Sequence, residues 1–146
     1  MTVGYSGTPL AKKLGIKNGF SVLTVNAPDD YAELLASLPE NVTICDAEAH
    51  ASARAKQAQQ NQADLIHIFT NDRDELQILL SRYLRQIKQN GSIWVSWYKK
   101  AAKLPTEITE ENIREACFPL GLVDIKVCAV DEKWSGLKLV IRKENR

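Results

Sequence analysis

The order of apolar runs along the chain constrains the fold more than any other feature of the sequence. Ser21–Asp30 has the pattern of a buried strand that runs directly into a helix start at Pro28, and strand and helix patterns then alternate through four strands. Two further strands, Asp124–Val130 and Gly136–Arg142, are separated by only five residues, which predicts a hairpin and an antiparallel last strand. The longer connections predict parallel strands with helices on both faces of one sheet.

The remaining predicted elements follow from apolar spacing and from capping residues. A short first helix takes Thr8 as cap, Pro9 as its first residue and Gly15 just after its end. The other strands are Val42–Cys45, at a sheet edge, Asp64–Thr70 and Ser92–Tyr98. The other helices run from Pro28 to Pro39, from Asn71 or Asp72 to Asn90-Gly91, and from a Thr109 cap to Pro119–Gly121. We also expect an exposed, mobile helix at Ala47–Gln62.

Length and charge narrow the class of protein. The chain has 146 residues, enough for one α/β domain over residues 1–146 with a single substantial core. A net charge of +1 gives no support for strongly electrostatic nucleic-acid binding. The sequence contains no run of about 18 apolar residues, and its start lacks a charged-then-apolar leader, so we expect a cytoplasmic protein.

The cysteines and histidines do not form a metal-binding pattern. Cys45, Cys117 and Cys128 are far apart and have apolar neighbours, which favours buried free thiols over metal ligands or a nucleophile. His50 and His67 lie outside any metal-ligand spacing. His67 falls inside an apolar strand pattern, where we expect a packed side chain.

A doubly wound sheet that ends in an antiparallel strand resembles the methyltransferase-type Rossmann fold. In that fold the last strand inserts between the two strands before it, which implies about six strands in the order 2-1-3-4-6-5. The connection between Val42 and Asp64 has room for one helix, so one strand–helix unit of the usual fold is absent. The resemblance thus implies a Rossmann-like, mostly parallel sheet with an antiparallel C-terminal strand.

The same resemblance directs attention to the turn after the first strand. Proteins of this fold that bind S-adenosylmethionine normally have a glycine-rich turn there, because glycine lets the ligand approach the backbone. Here Asn26–Asp30 occupies that place without any glycine. Asp46 follows the second strand, where an acid usually holds the ribose of the cofactor, although an aspartate before a helix is more often its N-cap. No P-loop, nucleophile elbow, HExxH motif or paired CxxC occurs.

Three segments are predicted to meet at the carboxyl end of the sheet: Tyr5–Thr8, Trp97–Lys100 and the hairpin tip Asp131–Ser135. Two interpretations remain open, a polar and aromatic ligand pocket or simple packing in which the tryptophans shield the sheet edge. The candidate ligand-binding residues are Tyr5, Ser6, Thr8, Trp97, Lys99, Lys100, Asp131, Trp134, Ser135 and Lys138.

Three stretches of the sequence form a recognisable pattern. They are GYSGTPLAKKLGIK at Gly4–Lys17, GLVDIKVCAVDEKWSGLKLVIR at Gly121–Arg142, and GSIWVSWYKKAAK between them. These stretches resemble a family of small bacterial proteins of unknown function, and the resemblance covers nearly the whole chain. It departs at Tyr98, where the family pattern favours proline. The family implies no activity, so it assigns no catalytic residue.

We therefore expect a non-catalytic domain that binds a small molecule or a protein, with a degenerate methyltransferase-like fold, no cofactor and no metal. The first alternative is a divergent S-adenosylmethionine-dependent methyltransferase in which Asp46 holds the ribose. The second is a structural subunit of an oligomer that docks through Val42–Cys45 or Ala47–Gln62. Nucleic-acid and membrane partners are not expected.

Overall fold

The chain folds around a twisted six-stranded sheet in a computed structural model that describes residues 9–35, 38–47 and 62–145. The strands are β1 (Ser21–Val25), β2 (Thr43–Asp46), β3 (Ala63–Phe69), β4 (Ile87–Tyr98), β5 (Leu122–Ala129) and β6 (Trp134–Ile141). Their order is β2-β1-β3-β4-β6-β5. The first four strands are parallel, and β6 runs antiparallel to both β4 and β5. The predicted order and the inserted antiparallel strand are confirmed.

Four α-helices cover the sheet in the described ranges: α1 (Leu10–Leu14), α2 (Tyr31–Leu34), α3 (Arg73–Tyr83) and α4 (Glu110–Cys117). Short 3-10 turns lie at Leu84–Gln86, Lys100–Ala102, Phe118–Leu120 and Lys143–Asn145. The predicted Ala47–Gln62 helix falls outside the described residues except at its two ends, as do Tyr5, Ser6, Thr8 and His50.

The starts of α3 and α4 follow the prediction closely. The Asp72 carboxylate accepts a hydrogen bond from the Glu75 amide at 2.9 Å and caps α3. At α4, the Thr109 hydroxyl and the Asn112 side chain cap each other's backbone amides reciprocally. Such capping boxes satisfy amides that have no partner inside the helix.

Several predicted helix boundaries are wrong. Pro9 is the N-cap of α1 rather than its first residue, and α2 ends at Leu34 rather than at Pro39. The start of α2 and the end of α3 also differ from the prediction. Helix α2 starts at Tyr31 rather than at Pro28, because the intervening residues form a turn in which the Pro28 carbonyl accepts the Tyr31 amide. Helix α3 ends at Tyr83 rather than at Asn90-Gly91, and β4 begins at Ile87. The Ile87 side chain is buried, so its apolar spacing matched a helix although it opens a strand.

Gly91 lies inside β4 and does not end a helix. A Cβ atom at this position would lie 2.7 Å from the Asp64 carbonyl oxygen, where β3 and β4 shift register between Ala63 and Leu65. The glycine therefore permits close backbone contact at an irregularity of the ladder.

The two faces of the sheet carry different cores. Helices α3 and α4 cover a large apolar cluster that includes Ile66, Leu80 and Ile113. Helices α1 and α2 cover a smaller cluster that includes Leu14, Phe69 and Trp94. On this second face the Trp94 indole donates a 3.0 Å hydrogen bond to the Leu14 carbonyl at the end of α1.

All three cysteines are free thiols, with Cys117 buried and Cys45 and Cys128 half-buried. Burial raises the pKa of Cys117 to about 11. Within the described ranges, no cluster of three His, Cys, Asp or Glu side chains suits a metal ion. None of the described helices has the length and apolar character needed to cross a membrane.

Candidate functional site

The carboxyl ends of β1, β2, β3 and β4 lie along one edge of the sheet, beside the β5–β6 hairpin tip. In open α/β sheets, ligands bind at this edge, at the point where the strand order reverses. Here that switch point lies between β1 and β3, because β1 leads to β2 on one side and pairs with β3 on the other.

The side chain of Asn26 spans the switch point. Asn26 follows β1 directly, and its Nδ2 donates a hydrogen bond to the Phe69 carbonyl oxygen at the end of β3, at 3.2 Å. The backbone of Asn26 is left-handed, with φ of 60°, a conformation that asparagine adopts more readily than other non-glycine residues. The Asn26 side chain thus links the ends of β1 and β3.

Hydrogen bonds also join the next two pairs of strands along this edge. The Asn71 side-chain oxygen accepts the Tyr98 amide at 2.8 Å and connects the ends of β3 and β4. The Lys133 carbonyl accepts the Lys99 amide at 2.8 Å and connects β4 to the hairpin tip. Hydrogen bonds therefore connect the described strand ends from β1 to the hairpin tip.

A groove of about 290 Å³ lies between the turn before α2 and the hairpin tip. Pro28, Asp30 and Leu34 form its α2 side. Asp131, Glu132, Lys133 and Trp134 form its hairpin side. Its volume is at the small end of the range for small-molecule pockets.

Aromatic rings support the groove from behind. The Trp134 ring packs edge-to-face on Phe69, with centroids 4.9 Å apart, and lies at 38° to the Tyr98 ring, with centroids 4.6 Å apart. Trp134 remains half-exposed, so one part of the indole is packed and another part faces the groove. A ring held in this way offers a rigid apolar surface at low entropic cost.

The hairpin tip is ordered by its own side chain. One carboxylate oxygen of Asp131 accepts the backbone amides of Lys133 and Trp134, at 2.8 and 2.9 Å. The carboxylate therefore positions the loop that carries Trp134. Asp131 thus shapes the groove as well as lining it.

A buried polar chain lies under α2. The Tyr31 hydroxyl is 2.9 Å from His67 Nδ1, and His67 Nε2 is 2.7 Å from the Ser96 hydroxyl. Burial lowers the pKa of His67 to about 3 and raises the pKa of Tyr31 above its usual range. His67 and Ser96 are fully buried. Although the arrangement resembles a nucleophile with its base, no substrate can reach it, and it joins α2 to the sheet.

The predicted ligand-binding residues divide among several places. Asp131 and Trp134 line the groove. Trp97 is buried in the core under α3 and α4, and Ser135, its register partner on β6, does not line the groove. Lys99 is half-buried and Lys100 exposed, both beyond the end of β4. Lys138 lies farther along β6, opposite Trp94, while Tyr5, Ser6 and Thr8 are outside the described residues.

Asp46 ends β2 at the same edge, with Thr24 of β1 as its register partner. Its side chain is exposed. This position matches that of the ribose-binding acid in the fold that the sequence resembles. The residue after it, Ala47, donates its amide to the Thr24 carbonyl at 2.8 Å.

The α2 side of the groove is the part that the sequence did not predict as a site. In the sequence, Pro28 and Asp30 stand out only as members of a turn that lacks glycine. They line the groove together with hairpin-tip residues that are about a hundred positions away in the sequence, and no local sequence pattern indicates that these segments meet.

Comparison with known proteins identifies a family and a fold. A family model described as "Protein of unknown function (DUF3052)" matches residues 11–143. Among curated proteins, no match to the sequence is found.

Similar solved structures belong to methyltransferases and related proteins. One is an S-adenosylmethionine (SAM)-dependent methyltransferase from Aquifex aeolicus, with a TM-score of 0.59, 15% identity, and coverage of 91% of this chain and 88% of that one. Another is Aeropyrum pernix fibrillarin with bound S-adenosyl-L-methionine, with a TM-score of 0.60, 12% identity, and coverage of 94% and 70%. A third is the DhpI–SAH complex, with a TM-score of 0.60, 13% identity, and coverage of 92% of this chain and 83% of that one. At these identities the likeness shows the fold alone, a methyltransferase-like Rossmann fold.

Proposed function

The chain belongs to the DUF3052 family of proteins of unknown function, and we propose that it is a single non-catalytic domain that binds a small molecule. The ligand lies in the groove between the turn before α2 and the β5–β6 hairpin tip. It does not lie at the switch point of the sheet.

The contact that supports this proposal most directly is the hydrogen bond from Asn26 Nδ2 to the Phe69 carbonyl, at 3.2 Å. It spans the crevice that a cofactor would use. Removing it would leave the Phe69 carbonyl without this partner, and an unpaired polar group of this kind costs about 1–3 kcal/mol when buried. A ligand at the switch point would have to offset that cost, whereas a ligand in the groove leaves the bond intact.

S-adenosylmethionine fits this turn poorly. The turn has Asn26 in place of a glycine and continues into Pro28, which has no amide hydrogen to donate. The Asn26 side chain bonds to the Phe69 carbonyl, where a glycine would leave the backbone open to a ligand. The residues after β1 therefore do not fit the cofactor, although Asp46 after β2 would suit its ribose.

The chemistry of the groove also supports binding without catalysis. Its aromatic wall is Trp134, and its charged groups are the carboxylates of Asp30, Asp131 and Glu132 and the Lys133 ammonium. Asp131 is already engaged with two backbone amides. The histidine and serine that resemble a catalytic pair are fully buried on β3 and β4, away from the groove lining.

The second candidate is a divergent S-adenosylmethionine-dependent methyltransferase. The position of Asp46 beside β1 favours it, as does the fold shared with proteins that bind S-adenosyl compounds. It differs from the first proposal in where the ligand lies, at Asn26 and Asp46 rather than at Trp134.

Mapping ligand contacts by ¹H–¹⁵N NMR separates the two candidates. The wild-type protein is titrated with a panel of nucleosides, amino acids, small ions, S-adenosylmethionine and S-adenosylhomocysteine. We expect a member of the panel to shift the Trp134 indole signal and the Asp30 and Lys133 amides. Trp134→Ala should abolish those shifts, whereas Trp97→Phe on the opposite face should preserve them. Shifts confined to Asn26 and Thr43–Asp46 would contradict the proposal and favour the methyltransferase.

A further inference from the structure

Three lysines converge where the end of α1 meets the β5–β6 hairpin. Lys126 and Lys138 are direct register partners on β5 and β6. Lys138 Nζ lies against the backbone of Gly15, since a Cβ added there would be 3.4 Å from it. Partial burial lowers the pKa of Lys138 most, followed by the nearby charges of Lys126 and then Lys17. We call Lys17, Lys126 and Lys138 the lysine patch.

The patch has no carboxylate partner in the described residues. The four ion pairs of the described ranges involve Arg73, Lys88 and Arg114, and none includes a patch lysine. The undescribed stretches contain only one acidic side chain, Glu48. The charge is thus concentrated locally, in a chain whose net charge is only +1.

A structural role explains one of these lysines but not all three. Lys126 Nζ donates to the Lys13 carbonyl at the end of α1, at 3.3 Å, as cations near helix C-termini commonly do. The other terminal carbonyls already have donors, because Gly15 and Ile16 amides and the Trp94 indole bond to Lys12, Ala11 and Leu14. Like charges directly opposite each other on antiparallel strands are destabilising. Lys138 therefore adds repulsion against Lys126.

We propose that the lysine patch binds a multiply charged, phosphate-bearing small molecule, with a diphosphate group as the smallest unit held. Ammonium groups bind phosphate oxygens through charge-assisted hydrogen bonds, and one trianionic group would neutralise the three lysines together. The patch is distinct from the groove, since Lys138 lies four residues along β6 from Trp134, roughly 13 Å at the strand rise. The proposal does not depend on the function proposed for the groove.

The test is calorimetric titration of the full chain with inorganic pyrophosphate and with ADP, at an ionic strength held constant with sodium chloride. Wild-type protein should bind pyrophosphate. Lys126→Gln and Lys138→Gln should each weaken binding by about tenfold or more. Arg82→Gln removes an equal charge from the exposed side of α3 and should bind as the wild type does. Because Lys126 is exposed, its variant is expected to remain folded.

The two probes distinguish the sources of the phosphate. Equal affinity for pyrophosphate and ADP would support recognition of the diphosphate alone, and tighter ADP binding with the same lysine dependence would support a nucleotide. In either case the Gly15 and Gly136 amide signals of the wild type should shift on binding. Absence of pyrophosphate binding, or binding unaffected by both lysine substitutions, would overturn the proposal. Without ligand, Lys138→Gln should melt no lower than the wild type, because it removes a like charge opposite Lys126, whereas a purely structural lysine at this position would lower the melting temperature.

Discussion

The two faces of the sheet are stabilised by different kinds of contact. Under α3 and α4 the core is extensive and apolar, and both helices begin with side-chain caps. Under α1 and α2 the helices have five and four residues and no side-chain cap bonds. That face depends on the buried Tyr31–His67–Ser96 chain and on the Trp94 indole bond to α1.

The difference suggests a division between folding and function. Both proposed sites, the groove and the lysine patch, lie on the α1/α2 side or at its edge. Short helices held by a few directional bonds can present polar loops at the surface, whereas long capped helices cover apolar side chains. The apolar face then supplies most of the stability, as hydrophobic burial does in domains of this size.

The largest effect should come from the apolar face. Leu80→Ala removes a fully buried side chain and should lower the free energy of unfolding by about 3–4 kcal/mol, in the range for buried leucine truncations. Ile78→Ala on the same helix is the matched control, because Ile78 is 55% exposed, and it should cost less than about 0.5 kcal/mol. Urea denaturation measures both, and equal losses would contradict the assignment of this core.

The buried polar chain should give the next largest effect and a distinct pH dependence. His67→Gln should cost about 2–3 kcal/mol at neutral pH, because it leaves a buried hydroxyl without a partner and removes the ring stacked on Phe69.

The pKa of His67 is about 3 in the folded chain and 6.5 for an unperturbed histidine. Below pH 6.5 the unfolded state therefore binds a proton that the folded state does not. The contribution of His67 to the free energy of unfolding is fully present above pH 6.5 and is lost as the pH is lowered toward 3. The loss amounts to about 3 kcal/mol at pH 4. The variant lacks this loss, so the two denaturation curves should converge on acidification, and a constant gap between them would contradict the buried neutral histidine.

Trp94→Phe should weaken the attachment of α1 by about 1–2 kcal/mol, since it removes the donor to the Leu14 carbonyl. Hydrogen exchange of the α1 amides is the sensitive measurement and should become faster. Trp97→Phe makes the same change on the opposite face and should leave α1 exchange unaltered. If both variants affect α1 equally, the indole bond has no specific role.

The smallest difference concerns the caps. Thr109→Ala breaks the capping box of α4 and should cost about 1 kcal/mol. Asp30→Ala at the start of α2 should cost almost nothing, because the Asp30 side chain makes no cap bond. Thermal denaturation should resolve the two, and a cost for Asp30→Ala equal to that for Thr109→Ala would contradict the contrast between the faces.

The elements of the fold could be predicted because their signals are local, whereas the strand order followed from the resemblance to the methyltransferase-type Rossmann fold. Strand runs of β-branched residues, helix caps such as Asp72 and Thr109, and the short β5–β6 connection each depend on a few neighbouring residues. The errors at α2 and α3 are also local in origin. Ile87 continues the apolar spacing of α3, and the pattern alone does not distinguish a last helical turn from a first strand residue.

The site could be predicted only in part because it depends on contacts distant in sequence. The alternation along β4 shows that Trp97 and Tyr98 face opposite sides of the sheet, but not which side carries the groove. The unusual turn at Asn26 was visible, whereas its bond to Phe69 joins residues 43 positions apart. The lysine patch likewise combines α1 with a strand register that only the folded chain defines.

The most direct test of the central claim is calorimetric titration of S-adenosylhomocysteine into the wild-type protein, with the Asn26 side-chain amide followed by NMR. Because the Asn26 side chain bonds to the Phe69 carbonyl at the switch point, the proposal predicts no saturable heat at about 1 mM ligand, no rise in melting temperature, and an unchanged Asn26 signal. Saturable binding that shifts the Asn26 amide and the Asp46 signals would contradict the account and identify the switch point as a functioning cofactor site.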